Sequence, residues 1–200
     1  MKQIAFFAGL CVLSLITPLS SQGAYTNTIS AETVVMPDSL TPAQMGQLAR
    51  DLYNGENGKE QNYDEAYKYA RFAAEAGDNR GMLVLGNCYY DGQGVNQSYS
   101  EAAKWYRKAA EQGNADAQYI LGNCYYNGQG VNQSYTEAAK WYRKAANEGD
   151  AGAQLNLGYC YEKGLGVTKD RRQAVVWFQS SARNGNEIAK QNLRNMNESW

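Results

Sequence analysis

The chain has 200 residues, 44% hydrophobic and 20% charged, with a formal net charge of −1 and no histidine. It is too apolar for a disordered chain and not basic enough for a nucleic-acid binder. Without histidine there is no Ser-His-Asp or Cys-His catalysis, no histidine metal ligand and no histidine pH switch.

Residues 1–23, MKQIAFFAGLCVLSLITPLSSQG, read as a secretory signal peptide. Lys2 is the only charge before Glu32, and the apolar run Ile4–Ile16 ends ahead of Pro18. That run is too short for a bilayer span, which needs about 20 residues. Cleavage is expected near Gly23–Ala24, and the bacterial periplasm or exterior is the expected destination. Residues 24–40, AYTNTISAETVVMPDSL, are small and polar without helical period and read as a flexible leader.

Residues 41–200 carry internal repeats. GNCYYDGQGVNQSYSEAAKWYRKAA at Gly86–Ala110 recurs as GNCYYNGQGVNQSYTEAAKWYRKAA at Gly122–Ala146, 36 residues on. Only Asp91/Asn127 and Ser100/Thr136 differ. A third copy keeps the frame from Gly158. A weaker one lies upstream, with Leu52, Tyr53, Gly58, Ala66, Ala73, Ala74 and Gly77 placed in register. The units run at about 46–81, 82–117, 118–153 and 154–189, with a partial cap at 190–200.

Each unit reads as two helices. Ala117, Leu121, Cys124 and Tyr125 form one buried stripe, and Gly128 and Gly130 punctuate the helix end. Val95, Val131 and Val167 plug the turns. Ser134 with Glu137 reads as a capping box opening the second helix, as do Ser98 with Glu101, Asn62 with Glu65 and Asp170 with Gln173. Ala138, Trp141, Tyr142, Ala145 and Ala146 form the second stripe, and Gly149 stops it. One such pair cannot bury its apolar face alone. Stacking predicts an all-α fold, a right-handed α/α solenoid of about four 36-residue helix-turn-helix repeats with a concave face.

The pattern A…LG..Y..G.GV..S…A..WY..AA..G…A resembles the Sel-one-like repeat, a relative of the tetratricopeptide repeat, over about residues 46–193. The first unit departs from it, with Glu56 and Lys59 where a glycine and the valine are expected. The resemblance implies an interaction scaffold or adaptor. For secreted bacterial members it further implies envelope functions, host contact or immunity against toxins.

Cys88, Cys124 and Cys160 occupy one repeat position. Packed helices lie about 8–10 Å apart, beyond the Cα separation of a disulfide. A buried apolar role is the plain reading, with a reactive thiol or intermolecular disulfide as the alternative. Three thiols at solenoid pitch do not converge on a zinc ion. The GQG segments lack the Lys-Ser/Thr and the strand of a phosphate cradle and read as turns. No metal, cofactor or catalytic residue is expected.

Binding is expected on the first helices, at Arg80, Leu83, Asn87, Tyr90 and Asp91; at Asp116, Tyr119, Asn123, Tyr126 and Asn127; and at Leu155, Tyr159, Glu162 and Lys163. Several of these vary between matching repeats. That suits a binding face, and equally suits drift of solvated positions. Tyr and Asn together make a good recognition mixture. Trp105, Trp141 and Trp177 are expected in the core, while Trp200 either seals the last repeat or stays exposed. The expected function is an exported module, an envelope adaptor or virulence-associated scaffold, that binds another protein in the concave groove. Alternatives are a periplasmic immunity protein that neutralises a toxin and, last, a cell-wall or β-lactam hydrolase. No nucleic acid and no membrane span is expected, and the chain is expected to be monomeric.

Overall fold

Polar caps and glycines divide the described residues into eight helices of 13 residues and a last one of 9. In the computed structural model the described residues are 40–199, within the unit Pro37–Trp200. The signal segment, nearly all of the leader, and Trp200 lie outside the described residues. Among those described, nine α-helices and no strands are present: α1 (Pro42–Asn54), α2 (Tyr63–Glu75), α3 (Asn79–Asp91), α4 (Tyr99–Glu111), α5 (Ala115–Asn127), α6 (Tyr135–Asn147), α7 (Ala151–Lys163), α8 (Arg171–Arg183) and α9 (Glu187–Asn195). The first helices α3, α5, α7 and α9 start 36 residues apart, which is the repeat period. The unit boundaries drawn from sequence therefore fall just inside the first helix of each pair.

The cap residues behave as their types require. Ser98 and Ser134 hydroxyls accept from the amides of Glu101 and Glu137, each at 3.3 Å. The reciprocal half of the box is replaced. The Ser98 and Ser134 amides donate to the carbonyls of Tyr89 and Tyr125 at 2.8 and 2.9 Å. With that donor satisfied, Glu101 and Glu137 turn instead to Lys104 and Lys140, at 2.6 and 3.5 Å. A complete box is present at Thr41 with Gln44, which opens α1.

The expected stripes are buried: Ala117, Leu121, Cys124 and Tyr125 on α5, and Ala138, Trp141, Tyr142, Ala145 and Ala146 on α6. Together with their counterparts they form one continuous cluster from α1 to α7. A second cluster closes the far end, where Leu155, Ala174, Phe178 and Ala182 join Ala189 and Leu193 of α9. The valines Val95, Val131 and Val167 pack against the main cluster.

Two glycine positions set how closely the repeats stack. In α5, a Cβ on Gly122 would lie 2.6 Å from the Tyr142 ring, so the glycine lets α6 sit against α5; Gly86 with Tyr106 and Gly158 with Phe178 repeat this. In the turn, Gly130 has φ +71°, and a Cβ there would lie 1.9 Å from the Tyr99 carbonyl oxygen of the previous repeat. The second glycine of GQG is therefore a point where one repeat docks on the last, as well as a helix stop.

The first repeat differs in register. Gly55, in left-handed conformation, ends α1 as Gly92 ends α3, and the two are 37 residues apart. The Asn62 amide donates to the Leu52 carbonyl, as that of Ser98 does to Tyr89. Leu52 and Tyr53 therefore correspond to Tyr89 and Tyr90, one residue away from the alignment read off the sequence. The extra residue sits in the α1–α2 turn. There Asn57 adopts φ +53° and donates to the Asp51 carboxylate at 2.9 Å. The helix-ending glycine is thus present, one position before Glu56.

Candidate binding groove

The first helices line a string of open cavities. One of about 510 Å³ lies among Arg50, Tyr53, Leu83, Asn87, Asp116, Tyr119 and Asp150. It shares Asn87 with one of about 330 Å³ that also touches Tyr90, Asp91, Tyr106 and Asn123. Asn123 leads to a third, of about 440 Å³, lined by Tyr126, Asn127, Tyr142, Asn156, Tyr159, Lys163 and Leu165. Lys163 opens onto a fourth, of about 420 Å³, with Glu162, Lys169, Arg171 and Asn195–Asn197. Shared residues join the four into one trough.

The asparagines of this trough are held from beneath. The Tyr106 hydroxyl passes under Gly86 and donates to Asn87 Oδ1 at 2.9 Å; Tyr142 donates to Asn123 Oδ1 at 2.7 Å. Asn156 Nδ2 reaches the same Asn123 oxygen at 3.2 Å. With their carbonyls occupied, Asn87 and Asn123 present amide N–H donors to whatever lies in the trough. In the fourth repeat the partner is Phe178, which has no hydroxyl, and the asparagine position holds Tyr159. The rings meet edge to face with centroids 5.3 Å apart, and the Tyr159 hydroxyl accepts from Asn192 at 2.7 Å. The Asn87/Asn123/Tyr159 variation therefore follows its packing partner.

Edge-to-face tyrosine pairs mark the rim: Tyr53 with Tyr63 at 5.4 Å, Tyr90 with Tyr99 at 5.0 Å, and Tyr126 with Tyr135 at 5.2 Å. Gln97 fixes its pair by donating to the Tyr90 carbonyl at 2.8 Å, and Gln133 does the same to Tyr126. In the fourth repeat Glu162 and Arg171 replace the pair. The Tyr53 hydroxyl also donates to the Asp91 carboxylate, which spans the first two repeats.

Of the fourteen residues expected on this face, twelve line one of the four cavities. Two do not. Leu155 is 8% exposed and packs in the α7–α9 cluster. Arg80 turns to the Ala43 carbonyl at 3.2 Å and the Asp78 carboxylate at 3.4 Å. Residues added by the structure include Arg50 and Tyr53, hidden by the one-residue shift, and Tyr106 and Tyr142, which reach through from the second helices. Asn156 carried a signal, since its position reads Val84, Ile120 and Asn156 across three repeats.

The profile of the Sel1 repeat matches four times, at residues 45–78, 80–114, 115–150 and 151–186. The chain belongs to the Sel1 repeat family. Three solved structures of bacterial proteins are similar. The first is c5321, described as a protective antigen present in uropathogenic Escherichia coli strains displaying an SLR fold. It is 40% identical with TM-score 0.71, over 76% of this chain and 32% of that one. A Sel1 repeat protein from Oxalobacter formigenes is 36% identical with TM-score 0.71, over 78% and 63%. Helicobacter pylori cysteine rich protein B is 29% identical with TM-score 0.53, over 66% and 96%. The chain thus spans about a third of the first and under two thirds of the second. No curated protein matches.

Sel1 repeat proteins are protein-interaction scaffolds, generally without catalysis. In this Sel1 array the three cysteines are free and buried. Burial pushes the Cys88 thiol up to about 12 and those of Cys124 and Cys160 up to about 11, which leaves them protonated and unreactive at neutral pH. Trp141 is buried, and Trp105 and Trp177 are half-buried. Lys108 and Lys144 cap the Trp105 and Trp141 rings at 3.9 and 4.0 Å. Among the described residues no group of three acidic or cysteine side chains is placed to hold a metal, and no helix is long and apolar enough to cross a membrane.

Proposed function

We propose that this protein binds an extended segment of another protein in the trough along its first helices. The observation that carries the reading is the anchoring of Asn87 and Asn123. Their carbonyls are engaged from below by Tyr106 and Tyr142, so fixed amide donors face the trough beside tyrosine rings. Such donors suit backbone carbonyls of an extended chain, and rigid tyrosines add contact area at small entropic cost. The signal-like residues 1–23 support work outside the cytoplasm, as an exported bacterial envelope adaptor or virulence-associated scaffold.

Affinity capture from envelope and secreted fractions tests this, with three baits: the chain itself, Tyr126→Ala in the trough, and Lys104→Ala with Lys140→Ala on the outer face. A partner retained by the first and third baits and lost by the second supports the reading. Equal retention by all three overturns it. An exported toxin as that partner would narrow the role to immunity.

A further inference from the structure

The trough is charged in order along its length. Its first two cavities carry the carboxylates Asp91, Asp116 and Asp150 against one cation, Arg50, which already pairs with Glu56 at 3.8 Å. The last two carry Lys163, Lys169 and Arg171 against Glu162, with Arg171 already paired with Glu198 at 3.2 Å. The last residue of the first helix is Asn54 in the first repeat, Asp91 in the second, Asn127 in the third and Lys163 in the fourth, so the charge at this position changes sign between the second and fourth repeats. Asp91 is held in place by the Tyr53 hydroxyl. Lys163 is exposed and pairs with its half-buried chain neighbour Glu162 at 3.3 Å, a contact that holds it weakly. Between these ends the floor is uncharged amide and tyrosine.

We infer that the trough takes an extended segment of a partner protein with a basic side chain seated at Asp91 and an acidic one at Lys163. This charge order fixes which way the segment runs. The inference rests on the trough being the binding site. It adds the chemistry of the occupant: two opposite charges separated by an uncharged stretch. The two charges lie two repeats apart, on α3 and α7, so several residues of an extended segment separate the side chains they hold. Complementary charge of this kind sets register and rejects wrong partners more than it adds affinity.

The test is a selection from a phage-displayed library of random dodecapeptides on the full chain at low salt, with Tyr126→Ala as counter-selection. Asp91→Lys and Lys163→Glu are further baits. The expected peptides lose binding on Tyr126→Ala and carry a basic and an acidic residue at one fixed separation, in one order. Lys163→Glu should bind them on the order of tenfold more weakly, since it replaces an attraction by a repulsion. It should itself select peptides with two basic residues, and Asp91→Lys peptides with two acidic ones. The tenfold loss should fade in 1 M salt, where screening acts over about 3 Å. Peptides that depend on Tyr126 but show no charge order, or selections unchanged by the charge reversals, overturn this inference and leave the trough reading standing. Peptides indifferent to Tyr126→Ala overturn both.

Discussion

The third and fourth repeats share a frame and differ in how they fill it. In the third, Tyr142 slides over Gly122 and donates to Asn123. In the fourth, Phe178 takes the same path over Gly158, and Tyr159 meets it ring to ring. In the third, Gln118 donates to the Ala110 carbonyl while its own buried carbonyl oxygen has no partner among the described residues. In the fourth, Gln154 makes the same donation and Asn184 supplies the missing donor at 2.9 Å. The tyrosine pair at the third rim becomes Glu162 and Arg171 at the fourth. The difference teaches that the array changes by exchanging contacting residues together. Alanines and glycines keep the stacking distance while the pairs facing the trough are replaced as units.

The largest effect expected from this comparison concerns the tryptophans. Trp141→Ala should cost about 3–5 kcal/mol of stability by urea denaturation. Trp105→Ala, at the same position one repeat earlier but half-buried, should cost clearly less. Equal losses would mean that the two repeats pack alike.

The cysteine position ranks next. It is constant in the second to fourth repeats and becomes the buried Asp51 in the first, which accepts from Gln47 and Asn57. Burial raises all three thiols above their ordinary value of 9.0, so the native state keeps their protons longer than the unfolded chain. Their contribution is complete below the ordinary thiol value of 9.0 and is lost as pH climbs through it toward 11–12. Urea midpoints at pH 8 and pH 10.5 should therefore fall more steeply in the native sequence than in the Cys88→Ala, Cys124→Ala, Cys160→Ala variant. Parallel slopes would place those thiols outside the core.

Smaller effects sharpen the pairwise exchange. Tyr106→Phe leaves Asn87 Oδ1 without its donor and should cost about 1–2 kcal/mol. Tyr142→Phe should cost less, because Asn156 still donates to Asn123. Adding Asn87→Tyr to Tyr106→Phe rebuilds the fourth-repeat pair and should recover part of the loss, a coupling of about 1 kcal/mol in a double-mutant cycle. Strict additivity would make the covariation coincidental. Smallest is the cap. Ser134→Ala should cost about 1 kcal/mol, whereas Glu137→Gln should cost only a few tenths, because Glu137 pairs with exposed Lys140 and not with the cap amide.

Much of the frame was legible in the sequence because it repeats. Spacing alone located the stripes, the serine caps and the three cysteines. The trough was legible as a face, since Asn87, Tyr126 and Lys163 share register positions with variable counterparts. Three things lay beyond pattern. The second halves of the capping boxes fail because carbonyls of the preceding helix, those of Leu52, Tyr89, Tyr125 and Tyr161, take the cap amides first. The single extra residue at Asn57 shifts α1 by one position without breaking any local rule. Leu155 is covered by α9, a helix of the partial cap, so its burial depends on an element outside the four repeats.

Site-specific photo-crosslinking tests the central claim most directly. A benzophenone side chain placed at Tyr126 in the trough, and separately at Lys140 on the outer face, would be irradiated in envelope and secreted fractions. The account predicts a discrete adduct to another protein from position 126 that is absent from position 140. Adducts from position 140 alone, or the same adducts from both, would contradict it.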